Sequence, residues 1–408
     1  MKVLVLTSTY SRWAGDTEPR FVDNLSQTLG GEHTVHVLAP HAPGARMDEM
    51  LEGIQVFRFR YWPGRFASLT YGGGILPNLR ENPLRLFQVP FFLAAQWLAI
   101  VQLCRRHDYD LIHAHWIIPQ GVSAVLARPL TRGRIPLVLT SHGGDLFALR
   151  GRLLSALKRR VTRACDALTV VSEAMRSRAA TLGLKPAEHI HSIPMGVDTG
   201  DTFRPPEGEA DRRGMLFVGR LVEKKGVEYL LRALPGVVDA FPDSHLTVVG
   251  DGPLRAELEA LCGTLGIADN VTFAGGVANS EVPAYLRSAA IAVFPSIVTD
   301  SGDQEGTPVA IMEALACGCA AVVSEYPGAS DIISDGVNGL LVPQRAPEEL
   351  CTAVASLLAD PTLRARLGSE GRALVCREYD WAVIGGRFSA VFAQVAGNGS
   401  QGGPAREN

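Results

Sequence analysis

Two α/β domains, each built on a doubly wound parallel sheet, are what this sequence predicts, and three observations carry the prediction. Short β-branched runs alternate with longer amphipathic segments along most of the chain, the pattern of parallel α/β layers. The pattern stops at a Pro-, Gly- and charge-rich stretch, residues 190–214, and starts afresh beyond it. A length of 408 residues suits two or three globular units, and 47% hydrophobic with 20% charged residues is enough to bury real cores, which excludes wholesale disorder.

In the first half the expected strands are residues 3–7, 34–38, 55–59, 111–114, 137–141 and 168–171. In the second they are residues 215–218, 246–249, 271–274, 291–294 and 320–323. The boundary falls near Gly200, giving an N-terminal domain over residues 1–200 and a second over 201–378. A closing helix covers 379–396, and the Gly- and Ser-rich end, 397–408, has the composition of a disordered tail. Two doubly wound domains facing across a cleft leave their ligand site outside the carboxyl ends of the strands.

The net charge of −3 conceals an asymmetry: residues 1–200 carry 23 Lys and Arg against 15 Asp and Glu, and the remainder carries 16 against 27. The halves therefore face different partners, and no nucleic acid is expected among them. Seven cysteines, scattered and never spaced as CxxC, argue against a disulfide framework or a structural zinc site and for a reducing compartment, the cytoplasm. The first residues, MKVLVLTSTYSRW, read as a strand, since no small-residue cleavage site follows the apolar run. Leu86 to Cys104 is uncharged over nineteen residues, nearly the length of a membrane span. Its Pro90 and three glutamines favour a buried or surface-lying helix.

The most informative segment is SGDQEGTPVAIMEALACGCAAVV. Thr307 suits an N-cap, Pro308 the first helical position and Gly318 the termination after Cys317. A helix starting just past a strand end would aim the amides of Gly306, Thr307 and Val309 at a phosphate or a sugar hydroxyl. Glu305 stands at its mouth and Glu313 within it. An E-x7-E spacing is common by chance, and Glu305 also suits the positive end of a helix; the place between strand end and capped helix is what singles the pair out.

In LFVGRLVEKKGVEYLL, Arg220 follows a strand and Lys225 precedes the next helix, a fork and a point charge fit to cradle a diphosphate. The competing reading is a basic turn paired to Glu223 and Glu228. VVGDGPLRAEL is another strand followed by a glycine turn, but it lacks the third glycine of a dinucleotide fingerprint. In LTSHGGDLF, His142 ends a strand before two glycines, as a hydrogen-bond donor or proton carrier would, or as a histidine bonding local backbone. His113 and His115 alternate on a strand with no third metal ligand in register, and are read with one facing the cleft and one the core. The loop after the first strand offers Gly15, Asp16, Glu18 and Arg20, and is polar and flexible in composition.

GRLVEKKG, VVGDGPLR, EGTPVAIMEALACG and SHGGDL, in this order and spacing, resemble the retaining nucleotide-sugar glycosyltransferases of family 4. The resemblance runs over nearly the whole chain and implies the GT-B fold, two Rossmann-like domains facing across a cleft. It implies that Arg220 and Lys225 bind the donor diphosphate, Glu313 the ribose, and Glu305 the transferred sugar with the amides of Gly306, Thr307, Pro308 and Val309 nearby. Val277 would border the base, and His142 would lie beside the donor sugar. Glu305, His142, Arg220 and Lys225 form the catalytic set so implied, with Gly15, Asp16, Glu18 and Arg20 in the acceptor-side loop. The segment from Trp381 to Gln394 would return to the N-terminal domain. Two positions depart from the pattern: the double glycine of the first loop is only Gly15, and Met195 stands where Asn often precedes Gly-Val-Asp.

The expected activity is transfer of a hexose from a UDP- or GDP-sugar, with retention and without cofactor or metal, to a glycan or lipid-linked acceptor. The basic N-terminal half with its apolar Leu86 to Cys104 stretch is expected to meet an anionic membrane surface on the cytoplasmic side. A nucleotide-sugar epimerase of the same fold, or a silent sugar-binding scaffold, would use part of these features, but neither requires the full set of Arg220, Lys225, Glu305 and Glu313.

Overall fold

The computed structural model describes residues 1–16, 18–131, 133–149, 151–207, 212–305 and 308–400. It divides into two compact units, the first taking residues 1–194 together with the chain from Ile384 onward and the second taking Met195–Val383.

The described part of the first unit carries β1 (Lys2–Leu6), β2 (Thr34–Pro40), β3 (Asp48–Leu51), β4 (Ile54–Phe59), β5 (Leu111–His115), β6 (Leu137–Ser141), β7 (Ala167–Val170) and β8 (Ile190–Ser192). They lie in one sheet in the order 3-4-2-1-5-6-7-8, parallel throughout except where β3 runs antiparallel to β4. The second unit carries β9 (Arg213–Val218), β10 (Leu246–Val249), β11 (Val271–Gly275), β12 (Ala289–Phe294), β13 (Ala320–Ser324) and β14 (Leu340–Val342), all parallel in the order 11-10-9-12-13-14. Every strand expected from the sequence is present within two residues. The three that were not expected are short: β3 is the polar DEML, and β8 and β14 have three residues each.

Parallel strands covered on both faces should be apolar throughout, and β5, β12 and β13 are buried along their full length. The second sheet shows how one strand feeds two cores. Met215, Phe217, Val248, Ile291 and Val293 join the helices Val227–Ala240 and Pro347–Ala359 on one face, through residues such as Leu230 and Val354. Their neighbours Leu216, Val249, Ala292 and Phe294 join Ile311 and Leu315 of the helix Val309–Ala316 on the other.

The segment read as a linker is tied down at its start. Val197 pairs with Asp380, its N–H donating to the Tyr379 carbonyl at 2.9 Å, and Thr199 Oγ1 donates to Asp380 Oδ2 at 2.5 Å. A Cβ on Gly196 would stand 2.5 Å from the Trp381 ring, so the two segments close on each other. This is why the division falls at residue 194 and not at Gly200. From Ile384 the last helix, Trp381–Ser400, belongs to the first unit, where Phe388 and Phe392 each lie 5.3 Å from the His113 ring and Ser389 meets His33 Nε2 at 2.9 Å. The helix runs on through Gly397–Ser400, so the tail expected from 397 begins no earlier than 401, and residues 401–408 lie outside the described residues.

The apolar stretch is a helix, Val89–Arg106, preceded by the tight turn Pro83–Gln88. Pro90 sits in its first turn, where a missing N–H costs nothing, so it does not interrupt the helix. By length and composition Pro83–Arg106 could cross a membrane, and about a third of its apolar window is buried. Phe92, Gln96, Ile100, Val101, Leu103 and Cys104 face inward, whereas Leu84, Leu86, Phe87 and Phe91 are exposed.

Candidate active site

In the second unit, the ends of β9, β10 and β12 are drawn together by glycines. A Cβ on Gly250 would come within 2.0 Å of the Gly219 carbonyl, and the Gly219 N–H donates to the Val249 carbonyl at 2.9 Å. The GDG turn is therefore a backbone-to-backbone seat for the loop that carries Arg220. Gly226, at φ +62°, packs so closely on the end of β12 that a Cβ would fall 2.0 Å from the Pro295 carbonyl. Beside it the Ile297 N–H donates to the Lys224 carbonyl at 2.8 Å.

This seating brings Lys225 to Glu305. Lys225 Nζ donates to Glu305 Oε2 at 2.9 Å, and Lys224 Nζ lies 3.3 Å from Glu305 Oε1 and 3.7 Å from Asp303 Oδ1. Burial alone would raise the Glu305 carboxyl, but Lys225 and Lys224 together hold it below the usual carboxylate range. The alternative pairing within the turn does not form: Glu228 accepts from Arg232 instead, at 2.8 and 2.9 Å. The Lys225 stem passes Gly219, and next to it Arg220 is exposed, its guanidinium without a partner among the described residues.

The helix carrying Glu313 is Val309–Ala316, with Pro308 at its N-cap, one residue later than expected. Thr307 and Gly306 lie outside the described residues. Gly318, at φ +73°, ends the helix as expected, its N–H donating to the Leu315 carbonyl at 2.8 Å. Burial pushes the Glu313 carboxyl up to about 7, with Lys225 opposing. Val277, just past β11, and Val309 pack half-buried on the core. Lys224 and Tyr326 escaped the sequence reading. Tyr326 is buried, and its hydroxyl is raised by burial and by the charge of Glu305.

In the first unit, His142 follows β6 and is half-buried. Its Nε2 lies 2.9 Å from His115 Nδ1, and its ring is bracketed by Phe21 at 4.8 Å and Trp116 at 5.0 Å. Burial lowers its pKa to about 3, which favours the neutral ring. His113 and His115, expected to face opposite ways, project from the same side of β5, as residues two apart must, and both are buried. In SHGGDL the aspartate is a clamp: Asp145 Oδ2 accepts from the Ile117 N–H at 2.7 Å and Oδ1 from Ser141 Oγ at 2.6 Å.

The loop after β1 is pinned where its composition suggested flexibility. Asp16 is buried and accepts from Arg12 Nε at 2.8 Å, Glu18 Oε1 accepts from the Gly72 N–H at 2.9 Å, and Arg20 pairs with Glu52. Gly15 is at φ +78°, and a Cβ added there would meet nothing within 4 Å.

Residues 19–201 match the family description Glycosyltransferase Family 4, and residues 200–374 match Glycosyl transferases group 1. The chain is 31% identical over 303 residues to the GDP-mannose-dependent alpha-(1-6)-phosphatidylinositol monomannoside mannosyltransferase of Mycolicibacterium smegmatis, covering 72% of this chain and 78% of that one. It is also 31% identical to the phosphatidyl-myo-inositol mannosyltransferase of Mycobacterium tuberculosis, over 90% of each chain. Among solved structures, sucrose-phosphate synthase from Thermosynechococcus elongatus superposes with a TM-score of 0.77 at 22% identity, covering 97% of this chain and 99% of that one. Anabaena HepE in complex with UDP and glucose gives 0.71 at 20%, covering 97% and 100%. These structural likenesses show the fold, and the sequence matches show the family. The chain belongs to the family 4 glycosyltransferases and has their GT-B fold.

Proposed function

We propose that this glycosyltransferase moves a hexose from a GDP- or UDP-sugar to a glycan or lipid-linked acceptor with retention at the anomeric carbon. The convergence of Lys224 and Lys225 on Glu305, with Arg220 just past the end of β9, carries the reading. When the anomeric C–O bond breaks, its electron pair goes to the diphosphate, and the cations stabilise that growing charge more in the transition state than before it. Glu305 holds the sugar being transferred and Glu313 the ribose. The leaving phosphate takes the acceptor hydroxyl's proton as the hydroxyl attacks from the same face. His142 serves the reaction as a hydrogen-bond donor to a sugar hydroxyl. No step calls on a metal or cofactor.

The names of the mannosyltransferase relatives make GDP-mannose the first donor to test. A thermal-shift screen against GDP- and UDP-sugars tests the reading: a donor at 100 times its Kd stabilises the native state by about 2.7 kcal/mol. Product analysis then reads the anomeric configuration. No shift with any nucleotide sugar, or an inverted product, counts against it.

The acceptor side is proposed to meet an anionic membrane at the cytoplasmic face. Leu84, Leu86, Phe87 and Phe91 are 70%, 61%, 71% and 55% exposed. Trp62 packs edge-on to Phe91 at 5.0 Å, and Arg65 lies over the Phe66 ring at 4.9 Å. Aromatic and aliphatic side chains beside arginines suit the headgroup boundary of a bilayer that holds a lipid-linked acceptor.

A further inference from the structure

Behind His142 lies a buried polar chain whose hydrogen-bond directions can be worked out from its far end. Thr169 Oγ1 donates to the Leu139 carbonyl at 3.3 Å, and a hydroxyl has one proton to give. The 2.6 Å contact between Thr140 Oγ1 and Thr169 Oγ1 is then a donation from Thr140. Thr140 Oγ1 must in turn accept from His113 Nε2, at 2.7 Å. His113 thus carries its proton on Nε2, and its buried Nδ1, which has no partner among the described residues, is a bare lone pair.

His115 poses the same choice. Its Nε2 is buried without a partner among the described residues, and its Nδ1 faces His142 Nε2 at 2.9 Å. If His142 donated, the His115 proton would sit on Nε2 as a buried N–H with no acceptor. If His115 donates from Nδ1, only a lone pair is left unmatched, and buried unmatched N–H groups are the rarer of the two. The rings of His115 and His142 are nearly parallel, 5.1 Å between centroids with 14° between their planes, as an in-plane N–H···N bond needs, and Phe21 and Trp116 flank His142, so its orientation is fixed as well.

We infer that His115 is a positioning residue that holds His142 in its Nδ1–H tautomer, so that His142 offers a sugar hydroxyl a hydrogen-bond donor. The inference rests on the proposed role of His142 in transfer. It assigns a task to the second histidine of IHAHW, His115, that its strand position alone does not suggest.

Nitrogen-15 NMR of histidine-labelled protein tests it, with the His142 ring signals identified by their loss in His142→Gln. The expected spectrum has the proton of His142 on Nδ1 in the wild type and in His115→Asn, whose amide N–H₂ takes the place of the Nδ1 donor. In His115→Phe, which keeps the ring and removes the donor, the proton moves wholly or partly to Nε2. Donor turnover, read as GDP or UDP release from GDP-mannose or UDP-glucose, falls about tenfold in kcat in His115→Phe, the worth of one hydrogen bond, and is largely restored in His115→Asn. A wild-type His142 protonated on Nε2, or a tautomer unchanged in His115→Phe, overturns the inference. The expected tautomer together with full turnover in His142→Ala overturns the proposed role of His142 instead, so the two failures are told apart.

Discussion

Lys225 Nζ stands 2.9 Å from Glu305 Oε2, across eighty residues of sequence. Both side chains are mostly buried, at 17% and 13% exposure, and Lys224 adds a second cation to the same carboxylate. The resting site is therefore a preassembled charge cluster, and on the proposed reading an incoming diphosphate would compete with Glu305 for the lysines.

Removing Lys225 should act on two quantities at once. Lys225→Ala is expected to lower kcat/KM for the donor roughly a hundredfold, as loss of a preorganised charge donor does. It also lets the Glu305 carboxyl rise. Because that carboxyl is held below its unfolded value, it contributes stability above the ordinary carboxylate range that is lost as pH falls through the folded value. Thermal unfolding from pH 3 to 7 should show this acid-side dependence reduced in Lys225→Ala.

Glu313 behaves in the opposite sense. Its carboxyl is raised to about 7, so between the unfolded value and 7 the native state holds a proton that the unfolded chain has lost, and stability falls as pH rises through that window. Glu313→Gln should stabilise the protein by about 3 kcal/mol at pH 8 and by little below pH 4. The same variant should weaken donor binding, and the wild-type donor KM should drop as pH rises through 7. A KM independent of pH in this range would separate Glu313 from the donor.

Glycine substitutions test the seating of the loops. Gly226→Ala, with its Cβ 2.0 Å from the Pro295 carbonyl and φ at +62°, should cost stability and remove donor turnover by displacing Lys225. Gly263, inside the helix Arg255–Leu265 with nothing within 4 Å of an added methyl, should do the reverse. Gly263→Ala is expected to gain about 0.5–1 kcal/mol in chemical unfolding without changing turnover.

The exposed aromatic face can be tested apart from catalysis. Phe87→Asp with Phe91→Asp should abolish flotation with phosphatidylglycerol vesicles while leaving nucleotide binding intact. Flotation that persists in the double variant, or is absent in the wild type at low salt, would assign this face elsewhere.

Much of the second unit was legible because its chemistry sits where parallel α/β architecture always places it, at strand ends before helices. Arg220, Lys225 and Glu305 each lie at such a position, and Glu313 lies inside the helix that follows. What the sequence withheld depends on contacts far apart in the chain. Lys224 meets Glu305 only because Gly226 packs on Pro295, and nothing in the sequence singles out Asp145, whose carboxylate holds the Ile117 N–H. Asp16, Glu18 and Arg20 look free in a polar loop, yet Arg12, Gly72 and Glu52 hold them. His113 and His115 were misplaced by reading alternation where a spacing of two puts both on one face.

We propose above all that the second unit's charge cluster holds and activates a nucleotide sugar. The most direct test is nucleoside diphosphate release from the best stabilising donor by wild type, Arg220→Ala and Glu305→Ala, each shown to be folded by circular dichroism. Each variant is expected to be slower on the order of a hundredfold. Folded variants that release nucleotide at the wild-type rate would contradict the proposal.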